Sequence, residues 1–334
     1  MRIFAIILVL LVALAAALFA LGVFDPADPQ GDNPPAGPGT QDPGDGSNGA
    51  SLTGTTDVPD EAPAIEAYVL DDPLTVLLLA RHAERMPAFM AQQWNAGHKI
   101  KVLAWAPAPP ADVEGADPEA LGRYAEVLSE PPSASLFRDR KVDVLAIHGL
   151  DPATLDTAFW DAVLDRVRTG RLGLLLMPGR REGGALLDHE TIKLLSPVTK
   201  STALEGPILP GVFARRVAFE PTEVGLTHAA TRLVAWPRWS RSMWASKATG
   251  DHMWATTQTW PIAEVNDEAA ALLEVSPPRG DRIPVLIAGQ AEEGRVLFFG
   301  AYELMDRKGY GVAPVVEDYG TVLRNWLVWL AGRV

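Results

Sequence analysis

In the segment LLLMPGRREGG, Leu174 to Gly184, an apolar run is followed by a Gly-rich stretch with two arginines, whose side chains are suited to binding or catalysis. Its apolar start is typical of a buried strand, and its Gly-rich end is typical of the turn that holds a nucleophile above the sheet in many α/β enzymes. The turn offers Gly179, Arg180 and Arg181 but no Ser, Thr or Cys. Two guanidinium groups at such a turn are suited to an anionic ligand. We predict these three residues as ligand-binding candidates, with a solvated loop as the alternative.

A second group of candidates consists of Arg81, His82 and His148, which also follow apolar runs. LLLARHAER resembles the Arg-His-Ala-Glu signature of histidine phosphatases, and VDVLAIHG places His148 after another strand. In that family a histidine accepts a phosphoryl group while arginines neutralise the phosphate oxygens. The later half of this chain has no counterpart there. A phosphohydrolase using His82 is therefore kept as an alternative function.

The remaining histidines indicate no metal site. His189 and His252 stand in isolated pairs with Glu190 and Asp251, and the sequence contains neither His-x-His nor His-Glu-x-x-His. His228, in LTHAATRL, is interpreted as part of local loop geometry. No Gly-rich phosphate loop of either common type occurs. We expect no metal and no cofactor.

The elements that must position these residues alternate along the chain. Apolar runs at Leu74 to Ala80, in KIKVLAWAP, at Val142 to Gly149 and in LGLLLMPG predict four buried strands. Helices with apolar faces are predicted between them, and one ends at Gly170. Two more strands, IPVLIAGQ and GRVLFFGA, precede a last amphipathic helix. Alternation of this kind predicts a mainly parallel sheet with helices on both faces.

The segment of about 199–278 breaks this alternation. It is rich in Trp, Thr and Ser and has few helical periods, so we predict loops and short strands inserted into the sheet or packed on it. Its tryptophans either fill a core beneath long loops or line a binding groove. They are Trp236, Trp239, Trp244, Trp254 and Trp260.

The first 64 residues predict an anchor and a tether. Ile3 to Phe24 contains 22 residues without a charged side chain, enough for a helix of about 33 Å across the ~30 Å hydrocarbon core. We predict that residues 1–24 form a transmembrane signal anchor, with a cleaved signal peptide as the alternative. The composition of 25–64 is that of a disordered linker rich in Pro, Gly and Asp. With Arg2 on the cytoplasmic side, the domain 65–334 is expected outside the cytoplasm, on a bacterial membrane, or secreted after cleavage.

Composition excludes several classes of function. The chain of 334 residues has a net charge of −13 at pH 7, which argues against a nucleic-acid partner. It contains no cysteine, which excludes disulfides, thiolate metal sites and a cysteine nucleophile.

Four stretches in consistent order resemble the glutamine-amidotransferase-like domains of bacterial membrane-associated proteins. They run from DVLAIHGLDPATLDTAFWDAVLDRVRTGRLGLLLMPG through PTEVGLTHAATRL and GRVLFFGAYELMDRK to LRNWLVWLAG. The resemblance covers roughly Val142 to Gly332 and implies a flavodoxin-like fold of the class I amidotransferase type.

The resemblance does not imply amidotransferase activity. Members that hydrolyse glutamine use a Cys in the turn after a central strand, activated by a His and an acid, and this chain has no Cys. We predict a membrane-tethered, catalytically inactive domain that binds a protein partner in the cell envelope or a small-molecule ligand, which the sequence does not identify. A purely structural envelope protein is the third possibility.

Overall fold

A sheet of ten strands organises the part of the chain that the structure describes. The structure is a computed structural model and describes residues 70–81, 85–95, 99–108, 118–179, 183–201, 212–233, 241, 244, 255–260, 262–277, 281–301 and 313–333. All of these ranges lie within the unit Pro59–Val334. The strands are β1 (Leu74–Ala80), β2 (Ile100–Trp105), β3 (Glu126–Val127), β4 (Val144–His148), β5 (Gly173–Met177), β6 (Val198–Ser201), β7 (Val212–Pro221), β8 (Ala255–Gln258), β9 (Ile262–Val265), β10 (Ala270–Val275), β11 (Ile283–Ala291) and β12 (Gly294–Phe299).

One half of the sheet is parallel. The strand order is β3-β2-β1-β4-β5-β12-β11-β10-β7-β8, and every pair from β3 to β12 is parallel. The central strands are continuous apolar runs because helices cover both of their faces, as the sequence predicts. Every residue of β5 is buried. The strand order changes direction at β1. The chain first adds β2 and β3 on one side of β1, and then adds β4 and β5 on its other side.

The other half of the sheet is antiparallel, so the whole sheet is mixed. The parallel half agrees with the predicted mainly parallel sheet, and the antiparallel half was not predicted. β12 pairs with β11, β11 with β10, β10 with β7 and β7 with β8, all antiparallel. Three of these strands come from the segment expected to be an irregular insert. The physical reason is that β7 pairs with β8 and β10, which are distant from it in sequence, so the local pattern does not reveal these partners. A separate pair, β6 with β9, lies outside the large sheet.

The helices divide between the two faces. They are α1 (Arg85–Asn95), α2 (Pro118–Gly122), α3 (Leu136–Asp139), α4 (Thr157–Arg168), α5 (Gly183–Asp188), α6 (Glu190–Leu195), α7 (Glu223–Thr227) and α8 (Ala313–Leu330), with a short 3-10 turn at Pro152–Thr154. One core joins the sheet to α1, α7 and α8, and a second core on the other face joins it to α4 and α6. The indole N–H of Trp94 on α1 donates to the carbonyl of Leu323 on α8 at 3.2 Å.

The predicted transmembrane helix, signal anchor and membrane location are corrected here. Within the described ranges, no helix is both long and apolar enough to cross a membrane. The longest of them, α8, has 18 residues, or about 27 Å, and contains Glu317, Asp318 and Arg324. The run Ile3 to Phe24 on which the prediction rested lies outside the described residues, as does the predicted linker.

Two of the tryptophans predicted in the insert are described, and both are buried. Trp244 is 2% exposed and its indole N–H donates to the carbonyl of Thr231 at 3.1 Å, while Trp260 is 3% exposed. These two side chains fill cores. Trp236, Trp239 and Trp254 lie outside the described residues.

Candidate functional site

The carboxyl ends of β1, β4 and β5 bring together several of the predicted site residues. Ala80 pairs with His148, and His148 pairs with Met177. The backbone N–H of Arg81 donates to the carbonyl of His148 at 3.0 Å, and the N–H of Gly149 donates to the carbonyl of Met177 at 2.8 Å. The backbone hydrogen bonds between neighbouring strands thus continue one residue past the ends of β1 and β4, and they fix the start of the loop that follows each strand.

Arg81 and His148 lie beside the point where the strand order reverses. Both residues are half-buried. In open α/β sheets, ligands bind outside the carboxyl ends of the strands at such a reversal, because the two flanking loops diverge there and leave a crevice. The structure therefore brings Arg81 and His148 to one edge of the sheet. Sequence spacing alone does not show that they are neighbours.

Gly179, the last described residue after β5, has a strained backbone and no side chain. Gly179 adopts a φ of +68°, and Gly149, in the loop after β4, adopts +57°. A β-carbon added at Gly179 would lie 2.8 Å from the Cα of Gly149, closer than real β-carbons approach other atoms. An elbow displays its nucleophile from a strained residue of this kind. Here backbone fills the space that a nucleophilic side chain would need.

The other predicted residues of this edge lie outside the described part of the chain. His82 follows Arg81 directly, and Arg180 and Arg181 fall between Gly179 and α5. The structure describes neither their side chains nor their backbone. Their assignment as phosphohydrolase or anion-binding residues stays a prediction.

His189 lies at the start of α6 and packs against an aromatic ring of the core. It precedes the first residue of α6, and its ring lies 4.8 Å from the indole ring of Trp160, centroid to centroid. Burial lowers the pKa of His189 below its usual value, with Glu190 opposing that effect. Within the described residues, no group of three or more His, Cys, Asp or Glu side chains is arranged to hold a metal ion.

His228 lies at the opposite edge of the sheet, beside side chains that the sequence did not connect with it. Its ring is 5.0 Å from the ring of Trp329, and the guanidinium of Arg295 lies 5.4 Å from the centroid of that indole. Arg295 is the second residue of β12, so this cluster marks the amino edge of the parallel strands. The sequence shows only an apolar pattern around each of these residues, and that pattern does not predict that they are neighbours.

No protein-family model matches the sequence, and no curated protein matches it significantly. Among solved structures, two cytoplasmic proteins from Salmonella typhimurium are similar, with 13% and 14% identity and TM-scores of 0.46 and 0.47. The matches cover 75% and 77% of this chain and 98% and 99% of theirs. A β-galactosidase from Rahnella matches over 77% of this chain and 31% of its own, with 10% identity and a TM-score of 0.38. These TM-scores are low, and nothing about function follows from them.

Proposed function

We propose that this chain is a non-hydrolytic, amidotransferase-like domain that binds a ligand or a protein partner instead of turning over a substrate. The observation that carries the proposal is the turn at Gly179. A glycine occupies its strained position, and the backbone of Gly149 occupies the space of a side chain. Because the chain also contains no cysteine, the thiolate chemistry of glutamine hydrolysis has no donor here.

The binding surface is the carboxyl edge between β1 and β4. Arg81 contributes a guanidinium, which holds carboxylate and phosphate oxygens through paired N–H donors. His148, on the adjacent strand, contributes a second polar side chain at the same edge. Arg180 and Arg181 follow Gly179 in sequence and would add positive charge to this edge. A small anion is the ligand class that suits this set of residues.

Two measurements on the full chain test the proposal. Ammonia release from glutamine is expected to equal that of a heat-denatured sample. In thermal unfolding, a panel of glutamine, nucleotides, sugars, phosphate and phosphate esters is expected to include a compound that raises the melting temperature by binding the native state. Hydrolysis of glutamine above the heat-denatured sample would contradict the absence of catalysis.

The site within this proposal is tested by a matched pair of variants. Arg81→Gln removes a guanidinium at the carboxyl edge, and Arg123→Gln removes an exposed one after α2. The increase in melting temperature is expected to disappear in the first variant and to persist in the second. Persistence in both variants would place the ligand elsewhere. If no compound stabilises the wild type, the carboxyl edge becomes a surface to test by crosslinking to protein partners.

A second candidate function is phosphoester hydrolysis with His82 as nucleophile. The observation that favours it is the hydrogen bond from the N–H of Arg81, directly after β1, to the carbonyl of His148, at the end of β4. This bond makes two of the three candidate residues, Arg81, His82 and His148, neighbours. This function predicts hydrolysis of p-nitrophenyl phosphate by the wild type and its loss in both His82→Ala and His148→Asn. Turnover that survives both substitutions would exclude the assignment.

A further inference from the structure

A cavity of about 490 Å³ opens at the amino edge of the parallel strands, at the other end of the sheet from the site proposed above. Three elements form it. They are α7 with the turn that follows it, the start of β12, and the end of α8. Its lining includes Val224, Thr227, His228, Arg232, Arg295 and Trp329. The cavity is shallow and open to solvent on one side.

The charge of this cavity is opposite to that of the whole chain. Two arginines and a histidine line it, and none of its described lining residues is acidic, whereas the chain carries a net charge of −13 at pH 7. A concave site lined by one sign of charge concentrates ions of the opposite sign. The local charge therefore favours an anion.

Arg295 is held in place but not neutralised by the residues around it. It donates one hydrogen bond, to the carbonyl of Trp329 at 2.8 Å, and its guanidinium lies over the Trp329 ring. Among the described residues, no carboxylate forms an ion pair with it. A guanidinium has five N–H donors, and its planar arrangement matches a carboxylate or a phosphate. Arg295 is thus a fixed cation with donors left for a ligand.

His228 is held as a neutral hydrogen-bond donor. The backbone N–H of Ala230 donates to its Nδ1 at 3.2 Å, which leaves Nε2 as the nitrogen that carries the proton. Burial, and next the charge of Arg295, lower the pKa of His228 to about 4. At neutral pH the ring therefore adds a donor to the cavity without adding a charge.

The position of Arg232 is fixed through its backbone. The side-chain amide of Asn325, which is fully buried on α8, donates to the Arg232 carbonyl at 2.9 Å. This bond ties the turn after α7 to the helix that carries Trp329. Val224, at the cavity, is 51% exposed and gives it an apolar portion together with the indole of Trp329.

We propose that this cavity binds a small organic anion whose carboxylate or phosphate group contacts Arg295 and Arg232 and whose apolar part packs against Trp329 and Val224. The site is separate from the carboxyl edge and does not depend on the function proposed for that edge. His228 contributes a hydrogen bond to the bound anion.

The test is calorimetric titration of the full chain with benzoate, phenyl phosphate and inorganic phosphate, with benzamide as the neutral analogue. Binding of benzoate or phenyl phosphate is expected, and benzamide is expected to bind at least about tenfold more weakly. The first two probes distinguish a carboxylate from a phosphate ligand. Inorganic phosphate shows how much the apolar part contributes. Equal binding of benzoate, phenyl phosphate and benzamide, or no binding of any of them at millimolar concentration, would overturn the proposal.

Variants locate the binding. Arg295→Gln is expected to weaken the better probe by about tenfold or more, and Arg295→Lys by less, because lysine keeps the charge without the planar donors. Arg123→Gln on the surface is expected to leave the affinity unchanged. Arg81→Gln is measured beside it to detect any binding of the probes at the carboxyl edge. If circular dichroism shows that Arg295→Gln is unfolded, Arg232→Gln takes its place with the same expected loss.

The outcomes of the two sites are distinguishable. An affinity that falls in Arg81→Gln but not in Arg295→Gln or Arg232→Gln would overturn the cavity proposal and support the carboxyl edge. Loss in the Arg295 or Arg232 variants alone supports the cavity and leaves the carboxyl edge to its own test.

Discussion

Gly179 shows how one residue decides what the loop after β5 can do. Replacing it by alanine would put a β-carbon 2.8 Å from the Gly149 Cα, at a residue whose φ is +68°. We expect Gly179→Ala to lower the free energy of unfolding by about 2 kcal/mol. Gly184→Ala is the control, since nothing lies within 4 Å of its added carbon, and it should be neutral or stabilising. Urea unfolding of the two variants measures the difference, and equal stabilities would refute the close packing of the two turns.

His228 links the amino-edge cavity to pH. Its pKa falls from 6.5 to about 4 on folding, so the unfolded chain takes up a proton that the folded chain excludes. The stability contributed by neutral His228 is therefore present above pH 6.5 and is lost as the pH falls toward about 4, by on the order of 2 kcal/mol after allowance for the partial exposure of the ring.

The measurement is urea unfolding across that pH range in the wild type and in His228→Asn. The asparagine oxygen can accept the Ala230 N–H but does not titrate, and His189 is retained in both proteins. The wild type should lose more stability than the variant as the pH falls. Parallel curves would show that His228 keeps its ordinary pKa.

At the scale of elements, Thr222 attaches α7 to the sheet. Its hydroxyl oxygen accepts the N–H of Gly225 at 2.9 Å, which caps the helix, and the hydroxyl donates to the carbonyl of Ala271 on β10 at 2.7 Å. We expect Thr222→Ala to lower the free energy of unfolding by about 1–2 kcal/mol. Thr222→Ser keeps both bonds and should cost less. Thermal unfolding compares them, and a serine variant as unstable as the alanine variant would mean that the methyl group, not the hydroxyl, holds α7.

At the scale of the whole molecule, the distinctive feature is that parallel and antiparallel strands share one sheet. Amide protection tests this directly, because hydrogen bonds within a sheet exchange only when that part of the sheet opens. We expect the amides of β10 to be protected nearly as well as those of β5, and those of the edge strand β3 to exchange faster. Hydrogen exchange followed by mass spectrometry measures all three. Rapid exchange throughout β10 would contradict its pairing in the sheet and would support the irregular insert that the sequence predicts.

The sequence by itself determined the local elements and the excluded chemistry. The apolar runs locate β1, β4 and β5, and helical spacing locates α1 and α4, because burial imposes its period on neighbouring residues. The Gly-rich turn after β5 and the lack of cysteine also follow from the residues alone, and together they argue against a thiol nucleophile.

Only the tertiary structure decided which distant residues meet. The pairing of β7 with β8 and β10 depends on hydrogen bonds between segments far apart in the chain, and no local pattern specifies such partners. The same holds for the approach of Gly149 to Gly179 and for the cavity that joins His228, Arg295 and Trp329. Each of these residues belongs to a different element, so their meeting depends on how the elements pack rather than on the spacing of residues within any one of them.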